Sequence, residues 1–292
     1  MSFSAESNIE TLLSILDLEQ IEVNLFRGHS AGQANNRVFG GQVIAQALVA
    51  ARRTVEEGRL AHSLHGYFLL PGDPTIPIIF EVDRIRDGGS FTTRRVVAIQ
   101  RGKAIFSMSA SFQTFGEGLE HQGDMPDVPM PEDLPPDSVW REKLLERYPA
   151  AAGRGWMALR PLEVRPVTEM PYLGVQSGTR NSVWLRTCAP LPDDLPIHQA
   201  VLAYASDLTL IQGALLPHGR SVFDGSLQVA SLDHALWFHR PFRADEWLLY
   251  SQDTPSASAQ RGFARGELFT RDGILVASAV QEGLMRPVTP RT

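Results

Sequence analysis

Two long apolar stretches at helical spacing, each followed by runs of alternating apolar and polar residues, set the pattern of this 292-residue chain. The second stretch, His198 to Pro217 (HQAVLAYASDLTLIQGALLP), carries Val201, Leu202, Ala205, Leu208, Leu210, Ile211, Ala214 and Leu215. These positions cover nearly the whole circumference of a helix, which predicts burial on most sides. One carboxylate, Asp207, stands in the middle, with Ala203, Tyr204, Leu210 and Ile211 three and four residues away. A buried carboxylate is costly unless hydrogen bonds compensate it. Asp207 is therefore either a structural group, as a cap or internal hydrogen bond, or a chemical one.

The first stretch, Val38 to Val55 (VFGGQVIAQALVAARRTV), predicts a second buried helix and contains no Asp or Glu. Its opening Gly40-Gly41 allows very close approach, either of packed backbone or of a ligand oxygen drawn to the helix N-terminal amides. Four strand-like runs follow, at His62–Leu70, Ile76–Arg86, Thr92–Arg101 and Ala104–Phe115, separated by turn residues such as Asp87-Gly88-Gly89. Five prolines between Pro126 and Pro136 then mark an extended linker, with a short helix near Trp140–Tyr148. Beyond it the pattern recurs. Strand-like Leu162–Val167 and Ser182–Thr187 precede the second helix, and Leu227–His239, Glu246–Gln252, Gln260–Thr270 and Ile274–Met285 follow it. The helices repeat at an offset of about 160 residues, a repeat of architecture with little sequence identity. The expected class is α+β, in two halves, each a long helix wrapped by an antiparallel sheet.

At the N-terminus, Ser7-Asn8-Ile9-Glu10 has capping-box spacing, and Ile9, Leu12, Leu13 and Leu16 predict a short amphipathic helix. The turn Gly28-His29-Ser30-Ala31-Gly32 matches the G-x-S-x-G nucleophile elbow letter for letter. That elbow works only as a strand-to-helix turn in a parallel α/β sheet. Here the polar QANNR that follows lacks helical periodicity, and a glycine-rich turn is the competing reading.

Composition narrows the function. The net charge of −6 and the lack of a basic stripe argue against nucleic acid. No apolar run reads as a membrane span. A single cysteine, Cys188, precludes an internal disulfide and points to a cytoplasmic setting. No histidine pair or cysteine pair has metal-ligand spacing: His62 and His65, and His234 and His239, sit at odd separations that point them to opposite strand faces.

Two strands offer Asp207 partners. Leu227, Val229, Ser231, Asp233, Ala235 and Trp237 alternate onto one face of their run, and Leu275, Ala277, Ala279, Gln281 and Met285 onto one face of theirs. With both faces against the helix, Asp207, Ser231 and Gln281 would either close a polar network or jointly hold a water.

The chain resembles the bacterial acyl-CoA thioesterase II family, which has a double hotdog fold. The residues that carry the resemblance are VFGGQVIAQAL, HSLHGYFLLPGD, ASFQ, RPLEVRPV, YASD, DHALWFHRPF, EWLLYSQDTPSAS, RGFARGE and VASAVQEGLMR. It covers nearly the whole chain, most weakly over 116–160. The resemblance implies an N-terminal hotdog domain over 1–120, a proline-rich linker over 121–157, and a C-terminal hotdog domain over 158–292 carrying the catalytic residues. Those are Asp207 of YASD, Ser231 of VASLDH, where the family has Thr or Ser, and Gln281 of VQEG. Hydrolysis of fatty acyl-CoA to free fatty acid and CoA, without metal or organic cofactor, is the implied activity, and a homo-oligomer, dimer or tetramer, the implied assembly. Gly40, Gly41, Arg261 and Arg265 are candidate substrate-binding residues. For the two arginines the alternatives are the CoA phosphates and a plain solvated sheet face. An esterase using Ser30 and a non-catalytic acyl-CoA binding protein are the competing functions.

Ser30→Ala is expected to leave thioester hydrolysis unchanged, and a fluorophosphonate probe is expected not to label the protein. A stoichiometric adduct on Ser30 would overturn the hotdog expectation in favour of the esterase.

Overall fold

The computed structural model describes residues 4–30, 37–149, 151, 161–168 and 171–288. Helix α1 spans Ala5–Leu16 and buries Ile9, Leu12, Ile15 and Leu16. Its N-cap is Ser4, which accepts the Ser7 backbone N–H at 3.2 Å. The capping-box spacing at Ser7 thus lies one turn inside the helix, because Ser4 offers the same hydroxyl three residues earlier.

Strands β1 (Glu19–Glu22) and β2 (Leu25–Gly28) precede α2 (Gly40–Arg52). Strands β3 (Arg59–Phe68), β4 (Ile78–Asp87), β5 (Phe91–Gln100) and β6 (Lys103–Thr114) follow. After α3 (Asp137–Arg147) come β7 (Leu162–Pro166), β8 (Arg180–Thr187), α4 (Leu195–Ser206) and α5 (Leu210–Gly213). Strands β9 (Leu227–Ser231), β10 (Asp233–Phe238), β11 (Leu248–Ser258), β12 (Arg261–Thr270) and β13 (Leu275–Pro287) complete the chain. Among the described residues all strands join one sheet in the order β1-β2-β4-β5-β6-β3-β10-β13-β12-β11-β8-β7, with β9 alongside β13. The order is a mirror image about the β3–β10 pair. The first seven main elements, β1-β2-α2-β3-β4-β5-β6, reappear as β7-β8-α4-β10-β11-β12-β13.

The two halves do not keep separate exposed edges at this junction. β3 and β10 pair antiparallel, with Leu64 opposite Leu236 and Ser63 opposite Trp237, so each covers the edge the other would expose. α2 and α4 lie together inside the curved sheet. Gly41 meets the last turn of α4, where a Cβ would fall well inside contact distance of the Tyr204 carbonyl oxygen. Ile44, Ala47, Val201, Leu202 and Ala205, almost fully buried, belong to the one core shared by both helices. At the far end of α2, Arg94 is 1% exposed and spends its five N–H donors on Thr54 Oγ1, the Thr54, Arg86 and Thr93 carbonyls and Asp87. It thereby satisfies a helix C-terminus from the sheet.

The proline-rich segment is extended but not loose. Met125, Val128, Met130 and Leu134 pack on Trp184, Trp247, Leu249 and Phe269, on the sheet face away from the helices. Trp184 Nε1 donates to the Pro129 carbonyl at 2.9 Å, and Arg271 pairs with Glu132. The segment is a strap over the second half of the sheet.

The second apolar stretch is not one continuous helix. α4 ends at Ser206, Asp207 is its C-cap, α5 is four residues long, and a 3-10 turn covers Leu216–His218. Within Leu195–His218 an 18-residue window with mean hydropathy 1.3 passes for a membrane span by length and composition alone. Of that window 83% is buried inside the protein, as in a core helix, which agrees with the absence of a membrane span expected from the sequence.

Residues 1–125 and 158–292 expressed separately are expected to be insoluble, because each would expose its half of the β3–β10 junction and one bare helix. Co-expression should restore a soluble folded pair by size-exclusion chromatography. A monomeric, cooperatively melting 1–125 fragment would contradict this dependence.

Candidate active site

Asp207 lies where α4 stops, with φ −84° and ψ −7°. The sequence ASDLTL contains neither Pro nor Gly, so side chains from elsewhere must hold the break open. Tyr250 Oη of β11 donates to the Ser206 carbonyl at 3.1 Å, and Tyr172 Oη donates to the Leu208 carbonyl. Gln252 Nε2 donates to Thr209 Oγ1 at 2.6 Å. The Ser206 hydroxyl is hydrogen-bonded to His234 Nε2 at 2.9 Å, and burial lowers that imidazole to about 3, keeping it neutral. Carbonyls freed by the break are thus met by donors rather than left bare.

The three residues expected together are together. Gln281 Nε2 donates to Asp207 Oδ1 at 2.7 Å and to Ser231 Oγ at 2.7 Å. Ser231 Oγ is 3.5 Å from Asp207 Oδ1, a weak contact at most. Gln281, fully buried, reaches in from β13 with Ala277 and Ala279 on the same inward face, as the alternation predicts. Its Oε1 is buried without a partner among the described residues.

Ser231 arrives by a different route from the expected one. Alternation does not run unbroken from Leu227 to Trp237. The chain interrupts at Leu232, and the Asp233 carboxylate takes the Glu282 N–H at 2.6 Å, as a strand partner otherwise would. Beyond the interruption the core-facing residues are His234, Leu236 and Phe238, while Asp233, Ala235 and Trp237 turn outward. Ser231 keeps its inward place only because it lies before the slip.

Gly40 and Gly41 stand against the carboxylate itself. A Cβ on Gly40 would lie 2.6 Å from Asp207 Oδ2, and the Gly41 backbone N–H is a hydrogen-bond donor to the carboxylate. The N-cap of α2, Phe39, provides no side-chain cap. Asp207 therefore caps α2 from the other half of the chain. Arg261 and Arg265 are elsewhere. Ala264 pairs with Gln281 across β12–β13, so the odd-numbered arginines project from the opposite sheet face. There they are exposed and paired with Glu282 and Asp253. Among the described residues no three His, Cys, Asp or Glu side chains gather as metal ligands. Ser30, whose neighbours Ala31 and Gly32 lie outside the described residues, accepts from Gln42 Nε2 at 3.0 Å. It lies just past the end of β2, in a sheet whose strand pairings among the described residues are all antiparallel, a setting in which no elbow forms.

Burial raises Asp207 from its ordinary 3.8 to about 6, against the hydrogen bonds of Gln281, Gly41 and Ser231, which favour the charged form. The surrounding Tyr172, Tyr204 and Tyr250 phenols are all pushed up, first by burial and then by the Asp207 charge. Sequence reasoning placed Tyr204 only as an apolar neighbour. Its spacing, three residues before Asp207 in YASD, was the available signal. Tyr172, Tyr250 and His234 carried none, being distant in sequence.

Two mirrored helix-and-sheet units fused in one chain, with a buried carboxylate where the helices meet, define a double hotdog protein. Residues 156–284 match the family model described as acyl-CoA thioesterase, and 29–113 match the acyl-CoA thioesterase N-terminal domain. The chain is 40% identical to acyl-CoA thioesterase 2 of Haemophilus influenzae, over 95% of this chain and 98% of that one. It is 46% identical to the solved acyl-CoA thioesterase II TesB2 of Mycobacterium marinum, with a TM-score of 0.78 over 96% and 100% of the chains. A hot dog fold protein from Alicyclobacillus acidocaldarius, 21% identical over 95% and 98%, shares the fold with a TM-score of 0.76. The chain belongs to the acyl-CoA thioesterase family of hydrolases.

Replacing Asp207 by Asn is expected to stabilise the protein at neutral and alkaline pH. The unfolded carboxyl ionises near 3.8 and the folded one near 6. The stability of the protonated form is therefore fully present below pH 3.8 and lost as the pH rises through about 6. The charge then costs the folded state roughly 3 kcal/mol, a cost that Asn, itself a good helix cap, does not incur. Thermal melts at pH 8 should show the variant higher than wild type, with the gap closing towards pH 4. A variant less stable at pH 8 would overturn this account.

Proposed function

We propose that the protein hydrolyses fatty acyl-CoA to a free fatty acid and CoA, with water activated by Asp207 and positioned by Gln281 and Ser231. The observation that carries this reading is the buried Gln281 side chain, which gives both Nε2 hydrogens to the site yet leaves Oε1 unpartnered. A water donating one hydrogen to that oxygen and the other to Asp207 fills the vacancy in the hydrogen-bond pattern. As its oxygen attacks the thioester carbonyl carbon, a proton passes to Asp207. The tetrahedral intermediate then expels CoA by breaking the C–S bond. The Asp207 carboxylic acid returns its proton to the departing sulfur, and the carboxylate is restored. A carboxyl titrating near 6 suits both halves of this exchange at neutral pH.

On this reading each chain holds one active site. The charge comes from the half following the strap, expected to begin near residue 158 after a linker over 121–157. The half over 1–120 contributes the Gly40-Gly41 end of α2. Arg261 and Arg265, paired on the outer face, are better read as solvated residues than as CoA ligands. The exposed Tyr67, Leu69 and Leu70 beside the end of β3 support a homo-oligomer, dimer or tetramer. The composition supports a cytoplasmic setting.

Asp207→Asn should lower thiol release from acyl-CoA by about 10² to 10⁴-fold while leaving acyl-CoA binding intact. Gln281→Ala and Ser231→Ala should each lose rate, non-additively with Asp207→Asn, since all three act on one water. In wild type, kcat/KM should fall as the pH drops below about 6. A wild-type rate in the Asn variant would refute the assignment. Binding of acyl-CoA by wild type with no thiol released would show a binding protein instead.

A further inference from the structure

Hydrolysis at Asp207, on which this inference rests, develops negative charge on the thioester carbonyl oxygen, and a preorganised donor must meet it. The side-chain donors already described around Asp207 are mostly committed. Gln281 Nε2 has two hydrogens, one on Asp207 and one on Ser231. The Gly41 amide serves the Asp207 carboxylate. The hydroxyls of Tyr250 and Tyr172 hold the Ser206 and Leu208 carbonyls that keep the helix broken.

Tyr204 is different. It is 5% exposed, yet its hydroxyl has no hydrogen-bond partner among the described residues. It is not among the sealed-in polar atoms left without a partner, so its oxygen keeps some access. Buried tyrosines ordinarily place the hydroxyl on a partner. The position adds meaning to the omission. Three residues before Asp207, Tyr204 leaves the last turn of α4 on the same side as the carboxylate. Its ring stands edge-on to Phe39, with centroids 5.0 Å apart and planes at 69°. Phe39 directly precedes the Gly40-Gly41 end of α2, and Gly41 abuts the Tyr204 carbonyl. The ring therefore packs on Phe39 at the junction of the helices, where the Asp207 charge bears on its hydroxyl. Burial and the Asp207 charge keep the phenol protonated, and hence a donor, at neutral pH.

We propose that Tyr204 is a further catalytic residue, whose hydroxyl donates to the thioester carbonyl oxygen and stabilises the oxyanion as water attacks. The phenol keeps its proton throughout: the nucleophile's proton goes to Asp207, and the only bond lost by the substrate is C–S. The competing account is that Tyr204 supplies a ring to the helix junction, with the oxyanion left to backbone amides.

Tyr204→Phe separates the two, because it keeps the ring and its contact with Phe39. Thiol release should be measured across acyl-CoA concentration and pH, with wild type in parallel and melting curves for both. The expected result is a kcat about 10²-fold lower, with KM nearly unchanged and the acid limb still near that of wild type. An unchanged kcat, or a loss confined to KM, overturns the proposal and favours the ring-only account. If wild type itself releases no thiol, the thioesterase reading fails and this inference with it. An active wild type beside an equally active Phe variant removes this inference alone. Should the Phe variant melt early, 3-fluorotyrosine at position 204 decides. It keeps size and hydroxyl but is a stronger donor, so an altered kcat supports the role and an unchanged one overturns it.

Discussion

A carboxylate at the C-terminal end of a helix faces the negative end of that helix's dipole, and in a protein core it has no water to relieve it. Asp207 meets both difficulties at once. What offsets them is the start of another helix: α2, lacking a side-chain cap of its own, is pressed against the same carboxylate through Gly40 and Gly41. One helix end repels the charge and the other attracts it. The compromise is a group that titrates near 6 rather than one locked in a single protonation state.

Much of the architecture serves this junction. The helices can meet end to side only because neither glycine has a Cβ in the way. Their packing is fixed by a sheet that runs unbroken across β3 and β10. The same requirement explains why the polar residues at the break come from so many elements. Tyr250, Gln252, His234 and Tyr172 each take one backbone or hydroxyl group that the end of α4 leaves exposed. Without them the apolar sequence on either side of Asp207 favours an uninterrupted helix, which would carry the carboxylate away from α2.

The parts of this arrangement legible in the sequence are those written in local periodicity. Both long helices, the strand pairs β5–β6 and β12–β13, and the inward placement of Gln281 follow from spacing alone. The interruptions were not legible. The break at Asp207 has no Pro or Gly to announce it, because distant tyrosines hold it. The slip at Leu232 depends on Asp233 substituting for a ladder partner, and a simple alternation carried through it misplaces everything from Asp233 to Trp237. The prolines of the strap announce extended chain but not that Met125, Val128 and Met130 cover Trp184 and Trp247. Pairwise contacts across the fold decided each of these.

The mirrored architecture also provides two comparable helix C-termini, and the chain has treated them in opposite ways. The end of α4 retains an acidic group among a few competing donors. The end of α2 is closed by Arg94, every N–H of which is engaged by the surrounding carbonyls, Thr54 and Asp87. Two identical subunits related by a true dyad could not divide labour in this way, since any reagent placed at one end would be duplicated at the other, along with its destabilising charge. Covalent tandem linkage lifts that constraint. One terminus is free to keep a buried ionisable group while its counterpart becomes a brace, so the cost of that group is borne once for the whole shell.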